Sequence, residues 1–222
     1  MDQQNILSAL ETVKKDSKKR NFTQTVDLVI NLKDINIKNP SEKIDLFVHL
    51  PKPKTKKQKV CALVDEERLA DAKKTCDTVI VKQDFAALAK DKKKFKKIVK
   101  EHDFFVTQPH LMPEVATHFG KVLGPRGKMP NPKAGCIIPP KVPMEPLIQR
   151  LRSVVRLQTK NDAVIRVAAG DEAMDDKDVA ENVLTLYNAV VNALPNKEAN
   201  VDKIILKLTM SLPVILQGGK KK

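Results

Sequence analysis

The chain has 222 residues, enough for one large domain or two small ones, and its 41 Lys and Arg outnumber 27 Asp and Glu to give a formal charge of +14. An excess of that size predicts attraction to a polyanion, most simply nucleic acid, and says little about fold. Three cysteines (Cys61, Cys76, Cys136) without paired spacing argue against a disulfide framework or a metal site, and the lack of a secretory apolar stretch or a bilayer-length apolar run points to a cytoplasmic protein.

Aromatic residues make up only 4% and Trp is absent, so a core of Val, Ile, Leu and Ala is expected. Ile6, Leu7, Leu10 and Val13 recur at helical spacing and predict an amphipathic helix over residues 3–15. It runs into Lys14, Lys15, Lys18, Lys19 and Arg20, cations that suit the negative end of the helix dipole and are also available to phosphate. Val26, Leu28, Ile30 and Leu32 then alternate with Asp27, Val29 and Asn31, as in a half-buried strand. Ile44, Leu46, Val48 and Leu50 do the same. The run Pro51-Lys52-Pro53-Lys54-Thr55-Lys56-Lys57 ends that pattern and reads as a connector.

Between residues 60 and 152 the rhythm changes. Short apolar runs at 60–64, 78–81 and 104–106 alternate with helical patterns at 66–75, 84–100, 109–119 and 144–154, the order of an α/β unit with a parallel sheet. The second of these helices is expected to bury Phe85, Leu88, Phe95, Ile98 and Val99. It exposes Lys92, Lys93, Lys94, Lys96, Lys97 and Lys100, a solvated face first and a binding face second. Residues 120–140 hold four of the seven glycines and five of the fourteen prolines, which predicts a shaped loop carrying Lys121, Arg126, Lys128 and Lys133. A rigid basic loop suggests phosphate, but the Walker pattern fails: Val122 stands at its first glycine and Met129 at its Ser/Thr.

After Lys160 the earlier rhythm returns. The sequence predicts a strand at 163–168, a turn at Gly170-Asp171, and a long helix capped by Asp176 or Asp178 and stopped by Pro195. A final strand follows at 201–208, with a disordered tail at 218–222. Neither flank has strands enough for a sheet of its own. The expected fold is therefore a discontinuous two-layer α+β domain of residues 1–58 and 156–222. A three-layer, Rossmann-like α/β domain of residues 59–155 is inserted in it, joined at two crossings.

Nothing catalytic stands out: His49, His102, His110 and His118 are scattered, and no GxSxG or HExxH occurs. No enzymatic activity, cofactor or metal is expected. What remains is recognition. Asn21-Phe22-Thr23-Gln24-Thr25 follows the basic helix end, and Phe22 is either core or a ring exposed to stack on RNA. Thr209-Met210-Ser211-Leu212-Pro213 leaves the last strand through polar residues. If the two stretches lie at one end of one sheet, they make one surface.

The run Leu123-Gly-Pro-Arg-Gly-Lys-Met-Pro-Asn-Pro-Lys133, preceded by Leu111-Met-Pro and Phe119-Gly120, resembles the signature of the ribosomal protein L-one family. Arg20-Asn-Phe-Thr-Gln-Thr-Val-Asp-Leu is similar to its archaeal branch. The resemblance covers essentially the whole chain. It implies a two-domain protein of the large subunit whose first domain binds 23S rRNA to form the mobile stalk at the tRNA exit site. It further implies help in releasing deacylated tRNA and, in many members, repression through an mRNA leader that mimics the rRNA site. Other large-subunit components complete the expected partners; no membrane is among them, and the free protein is expected to be a monomer.

By that likeness Phe22, Gln24, Thr25, Thr209, Met210 and Ser211 contact RNA, with Lys19, Arg20, Lys160 and Arg166 as further RNA-binding residues. Gly124, Pro125, Arg126, Gly127, Lys128, Met129, Pro130, Asn131 and Pro132 form the signature loop on the second domain, which the likeness expects to support inter-domain geometry and to leave room for weaker RNA or tRNA contacts. Ser211-Leu212 stands where family members usually read Gly-Pro, and losing glycine's backbone freedom predicts a weaker or rearranged contact there. Two other readings are a phosphate-ligand or nucleotide-binding α/β enzyme and a basic scaffold for an acidic protein.

Overall fold

In the computed structural model, which describes residues 2–37, 39, 42–139 and 142–218, the chain forms two units, residues 1–56 with 153–222 and residues 57–152. The first half of the chain runs α1 (Gln3–Asp16), β1 (Thr25–Leu32), β2 (Asp45–His49), β3 (Val60–Val64), α2 (Leu69–Thr75), β4 (Thr78–Val81), α3 (Phe85–Lys90), α4 (Lys92–Glu101) and β5 (Phe104–Thr107). The second runs α5 (Met112–Leu123), α6 (Met144–Ser153), β6 (Val154–Gln158), β7 (Val164–Asp171), α7 (Asp176–Ala193), β8 (Val201–Leu208) and β9 (Val214–Gly218).

In the first unit β1 finds its partners far away in sequence. It pairs antiparallel with β7 on one side and β8 on the other, and β9 extends the sheet in the order β7-β1-β8-β9. Its alternation buries Val26, Leu28, Ile30 and Leu32 on one face, where α1 and α7 pack to close an aliphatic core. β2 and β6 make a separate antiparallel pair whose Val155 and Leu157 join that core. The connector after β2 is held in place: buried Asn182 donates to the carbonyls of Lys52 (3.0 Å) and Ala169 (2.9 Å) and accepts from the Lys52 N–H (3.1 Å).

The second unit is a parallel sheet in the order β4-β3-β5, and every residue of β3 is buried, as in a strand covered on both faces. Its core is not the aliphatic one that composition predicts. Phe85, Phe95, Phe105 and Phe119 gather in it, with Phe95 stacked on Phe119 at 4.2 Å and Phe85 edge-on to Phe119 at 5.2 Å. Four of seven phenylalanines in one small core make scarcity in the whole chain a poor guide to local packing.

Several boundaries differ from the sequence reading, each for a local reason. The helix expected over 84–100 breaks at Asp91 (φ −88°, ψ 74°), whose carboxylate accepts the Lys94 N–H at 3.1 Å and starts α4 afresh. Gly120 lies inside α5, so the glycine-rich loop begins only at Gly124; Pro140 lies outside the described residues. Strands β6 and β9 are additional, the latter ending on the Gly218 expected to be disordered, while 219–222 lie outside the described residues. Gly170 and Asp171 close β7 instead of making a turn, because they pair with Val26 and Thr25 of β1; the glycine serves close packing, since a Cβ there would stand 3.0 Å from the Val179 side chain. Asp175, and neither Asp176 nor Asp178, caps α7, accepting from the Lys177 N–H at 3.4 Å.

Candidate nucleic-acid interface

The two stretches singled out at the strand ends meet. The Thr25 N–H donates to the Thr209 hydroxyl and the Thr209 N–H to the Thr25 carbonyl, each at 3.1 Å, across 184 residues of chain. Around this lock Phe22 is 52% exposed, Met210 59% and Leu212 74%. An aromatic ring and two apolar side chains held in water by the sheet end are a surface, not a core. Lys18, Lys19 and Arg20 stand exposed just before them. Lys14 does not join them, since its Nζ lies 2.5 Å from the Asp176 carboxylate and ties α1 to α7.

Gln24 is a correction. It is fully buried, so its side chain does not reach a ligand. Its Nε2 donates to Ser17 Oγ (2.9 Å) and its Oε1 accepts the Met210 N–H (3.1 Å), while its main chain exchanges bonds with Glu172. Gln24 positions the turn that carries Met210. Ser211 is half-buried and bonds within its own turn: its hydroxyl accepts the Leu208 N–H (2.8 Å) and donates to the Leu212 carbonyl (3.0 Å), and its N–H closes a turn onto Leu208 (3.1 Å). The described non-glycine residues at positive φ are Asp34 and Lys197, so the turn at 211 does not require glycine. The hydroxyl supplies a bond that glycine lacks.

Arg166 belongs to the outer face of the same sheet, away from α1 and α7, and Lys160 lies in the loop between β6 and β7 at its edge. Register aligns Arg166, Val29, Ile205 and Ile215 in one row across all four strands. From Val29 to Thr25 is four residues, about 13 Å along the strand. The next row pairs Asp27 with Lys207. Burial pushes the Asp27 carboxyl up from its ordinary value, against the pull of Lys207 and Lys54. Arg156, Gln158, Lys160, Asp162, Val164 and Arg166 line a cleft of about 200 Å³. Arg156 is aimed by a fork onto Asp45 (2.7 and 2.8 Å) and by the Phe47 ring at 5.4 Å. Arg156, Lys203 and Lys207 stand beside these cations and were not among the candidates read from the sequence, although outward positions of alternating strands were the available signal.

The glycine- and proline-rich segment has a different use. The Gly127 N–H donates to Gly124 O (2.9 Å) and the Lys128 N–H to Leu123 O (3.1 Å), with Gly127 at φ +65°. That is a Schellman stop for α5. It delivers Lys128 to the end of α4, where Nζ donates to the carbonyls of Val99 (2.9 Å) and His102 (2.5 Å); Arg126 donates to Lys96 O (3.1 Å). Burial holds the Lys128 pKa below the lysine norm, Arg126 adds to this and Asp103 opposes it. Pro130 is buried, Met129 packs on the phenylalanine core, and Asn131 Oδ1 accepts the Lys133 N–H (2.9 Å) to start a short turn ending at Gly135 (φ +77°). Lys128 therefore caps α4, in place of the phosphate the loop's sequence suggested, while the exposed Arg126 braces the same helix at mid-length.

The carboxyl ends of β3, β4 and β5 are where an α/β enzyme would bind its ligand. Here those groups engage one another. The Asp65 N–H donates to Gln108 Oε1 (3.0 Å), its carboxylate accepts the Glu66 N–H (2.9 Å), and Lys82 pairs with Glu114 (2.8 Å). Residues 136–138 lie alongside β5, bonded to Thr107 at 2.9 and 3.0 Å. Buried His102 spans Ile98 O and Thr78 Oγ1, both at 2.8 Å, as a helix cap. Among the described residues no three metal-ligating side chains gather, and no helix is long and apolar enough to cross a membrane.

A model of the Ribosomal protein L1p/L10e family matches residues 13–212. The chain is 34% identical over 218 residues to Large ribosomal subunit protein uL1 of Pyrococcus abyssi, covering 98% of this chain and 97% of that one. To the protein of the same name in Thermococcus kodakarensis it is 36% identical over 210 residues, covering 94% and 95%. To that of Methanothermococcus thermolithotrophicus it is 36% identical over 217 residues, covering 98% and 100%.

Proposed function

Because the chain belongs to the ribosomal protein L1p/L10e family, we propose that this large-subunit protein binds 23S rRNA through the sheet end of its first unit. Membership of a ribosomal family sets aside the nucleotide-enzyme alternative. The observation that carries the reading is the Thr25–Thr209 lock, which holds Phe22 and Met210 in water beside Lys18, Lys19 and Arg20. A ring to stack on an unpaired base and cations for phosphate are what recognition of structured RNA requires. Arg166, Lys203 and Lys207 extend the same face, and Lys160 with Arg156 edges it.

On this reading residues 1–56 with 153–222 are the rRNA-binding domain, and residues 57–152 are an inserted domain carried on the stalk at the tRNA exit site, where the protein assists release of deacylated tRNA. A leader in its own message that imitates the rRNA site would compete for the same surface, so free protein would repress its translation. Phe22→Ala is expected to weaken binding to a 23S rRNA fragment by about 1–3 kcal/mol, the loss of one stacked ring. The folded variant binding as tightly as the parent would remove the sheet end as the site. A chain joining residues 1–56 directly to 153–222 should keep most of the affinity, and a leader RNA should displace the rRNA fragment competitively.

A further inference from the structure

Helix α4 breaks several local rules of helix stability at once. Its first turn holds Lys92, Lys93 and Lys94 and no acid, against the direction of the macrodipole. Lys93, Lys96, Lys97 and Lys100 recur at helical spacing on the side opposite buried Phe95 and Val99, and all four are exposed. Like charges thus meet where opposite charges would stabilise. Among the described residues, the ion pairs of this unit involve Arg68, Lys82, His110 and Arg152 and none of these lysines.

The helix is nonetheless held firmly. Asp91 caps its start, Lys128 takes the Val99 and His102 carbonyls, and Arg126 reaches the Lys96 carbonyl and remains exposed beside the ridge. Local conflict without an internal remedy, on a well-braced element, is where an outside partner is to be sought.

We infer that the α4 ridge of Lys93, Lys96, Lys97 and Lys100, joined by Arg126, is a second RNA surface that takes the phosphate backbone of duplex RNA without reading its sequence. The ridge runs about 10 Å along the helix axis, enough to face two or three successive phosphates. Its large apolar residues point inward, so it lacks the aromatic anchor around which protein interfaces concentrate their affinity. Phosphates need only spaced cations. The surface is on the second unit and stands independently of the sheet end.

The test uses the full chain carrying Phe22→Ala and Arg166→Gln, which weakens the sheet end, and adds Lys93→Gln, Lys96→Gln, Lys97→Gln and Lys100→Gln. Removing like-charge repulsion should leave melting unchanged or raised. The probe is a labelled RNA duplex of about 16 base pairs and arbitrary sequence, titrated from about 50 to 200 mM salt. The ridge variant should bind at least about ten-fold more weakly than its parent at low salt, and its salt slope should fall by about 2–3, a little under one per lost phosphate contact. A matched chain with Lys59, Lys73, Lys74 and Lys133 changed to Gln should stay within about two-fold.

Equal losses in the two chains would reduce the effect to bulk charge and overturn the ridge. So would unchanged duplex binding. Ridge-dependent binding of poly-glutamate that displaces the duplex would overturn RNA as the partner. Failure of Phe22→Ala to weaken binding to the 23S rRNA fragment would strike the sheet end alone and leave the ridge result standing.

Discussion

The sheet end of the first unit and the Gly124–Gly135 segment of the second are both basic and rich in hydrogen-bonding groups, yet they turn those groups in opposite directions. At the sheet end, the polar atoms of Gln24, Thr25, Thr209 and Ser211 are engaged by bonds within the fold, and the large side chains of Phe22 and Met210 are left in water. In the glycine-rich segment the cations are themselves the donors: half-buried Lys128 takes the carbonyls at the end of α4, and Arg126 reaches the Lys96 carbonyl while staying exposed. The more recognisable motif is the one that holds structure, and the plainer one presents a surface. A run of Gly and Pro reports how tightly a backbone path is specified; exposure has to be decided by packing.

The largest effect that separates the two regions is expected from Gly124→Ala. A Cβ there would stand 2.8 Å from the Gly120 carbonyl oxygen, a backbone atom that cannot step aside. The second unit should lose about 1–3 kcal/mol, as other overpacked sites do, read by denaturant unfolding, while affinity for the 23S rRNA fragment stays put. A parallel fall in affinity would break the contrast. Gln24→Leu acts on the other region: it strands the Met210 N–H and the Ser17 hydroxyl and should cost about 1–3 kcal/mol of stability. It should also weaken RNA binding, although the side chain touches no solvent. Stability lost with affinity intact would show that the turn it positions is not part of the site.

Lys128→Met should cost less, about 1 kcal/mol, because the ammonium is partly exposed and its bonds are screened. The sign of its pH dependence follows from burial. The folded pKa lies below the ordinary 10.5, so the unfolded chain holds this proton more tightly. The linked stability is fully present above 10.5 and is lost as pH falls through the folded value. Melting followed through the alkaline range should show this rise in the parent and not in Lys128→Met. The smallest change in stability belongs to Phe22→Ala, within about 0.5 kcal/mol for an exposed ring, so its effect on binding can be read without correction for folding.

Periodicity made α1, β1, β3, β4, β5, α7 and β8 legible, since each buries one face or a whole short run at its own spacing. β6 was hidden because Ile148, Leu151 and Val155 continue a helical spacing. Only pairing with β2, more than a hundred residues upstream, makes Val154–Gln158 a strand. β9 likewise exists as an addition to the edge of β8. The site was half legible. Phe22, Thr25, Thr209 and Met210 do converge, but Gln24, in phase with the buried Val26 and Leu28 yet polar, is shown to be core only by the bonds its side chain finds.

By itself the chain's order of apolar and polar residues determined that its two ends are built alike and that a differently patterned segment lies between them, and its composition fixed a strongly positive net charge. Those properties are local or additive, and they survive in any arrangement of the elements. Which polar groups face water was settled only when β7, β1 and β8 came together, because a hydrogen bond between residues 25 and 209 or 24 and 210 exists only once distant backbone is brought within about 3 Å. Tertiary contact sent Gln24 and Lys128 inward and left Phe22 and the α4 lysines outside.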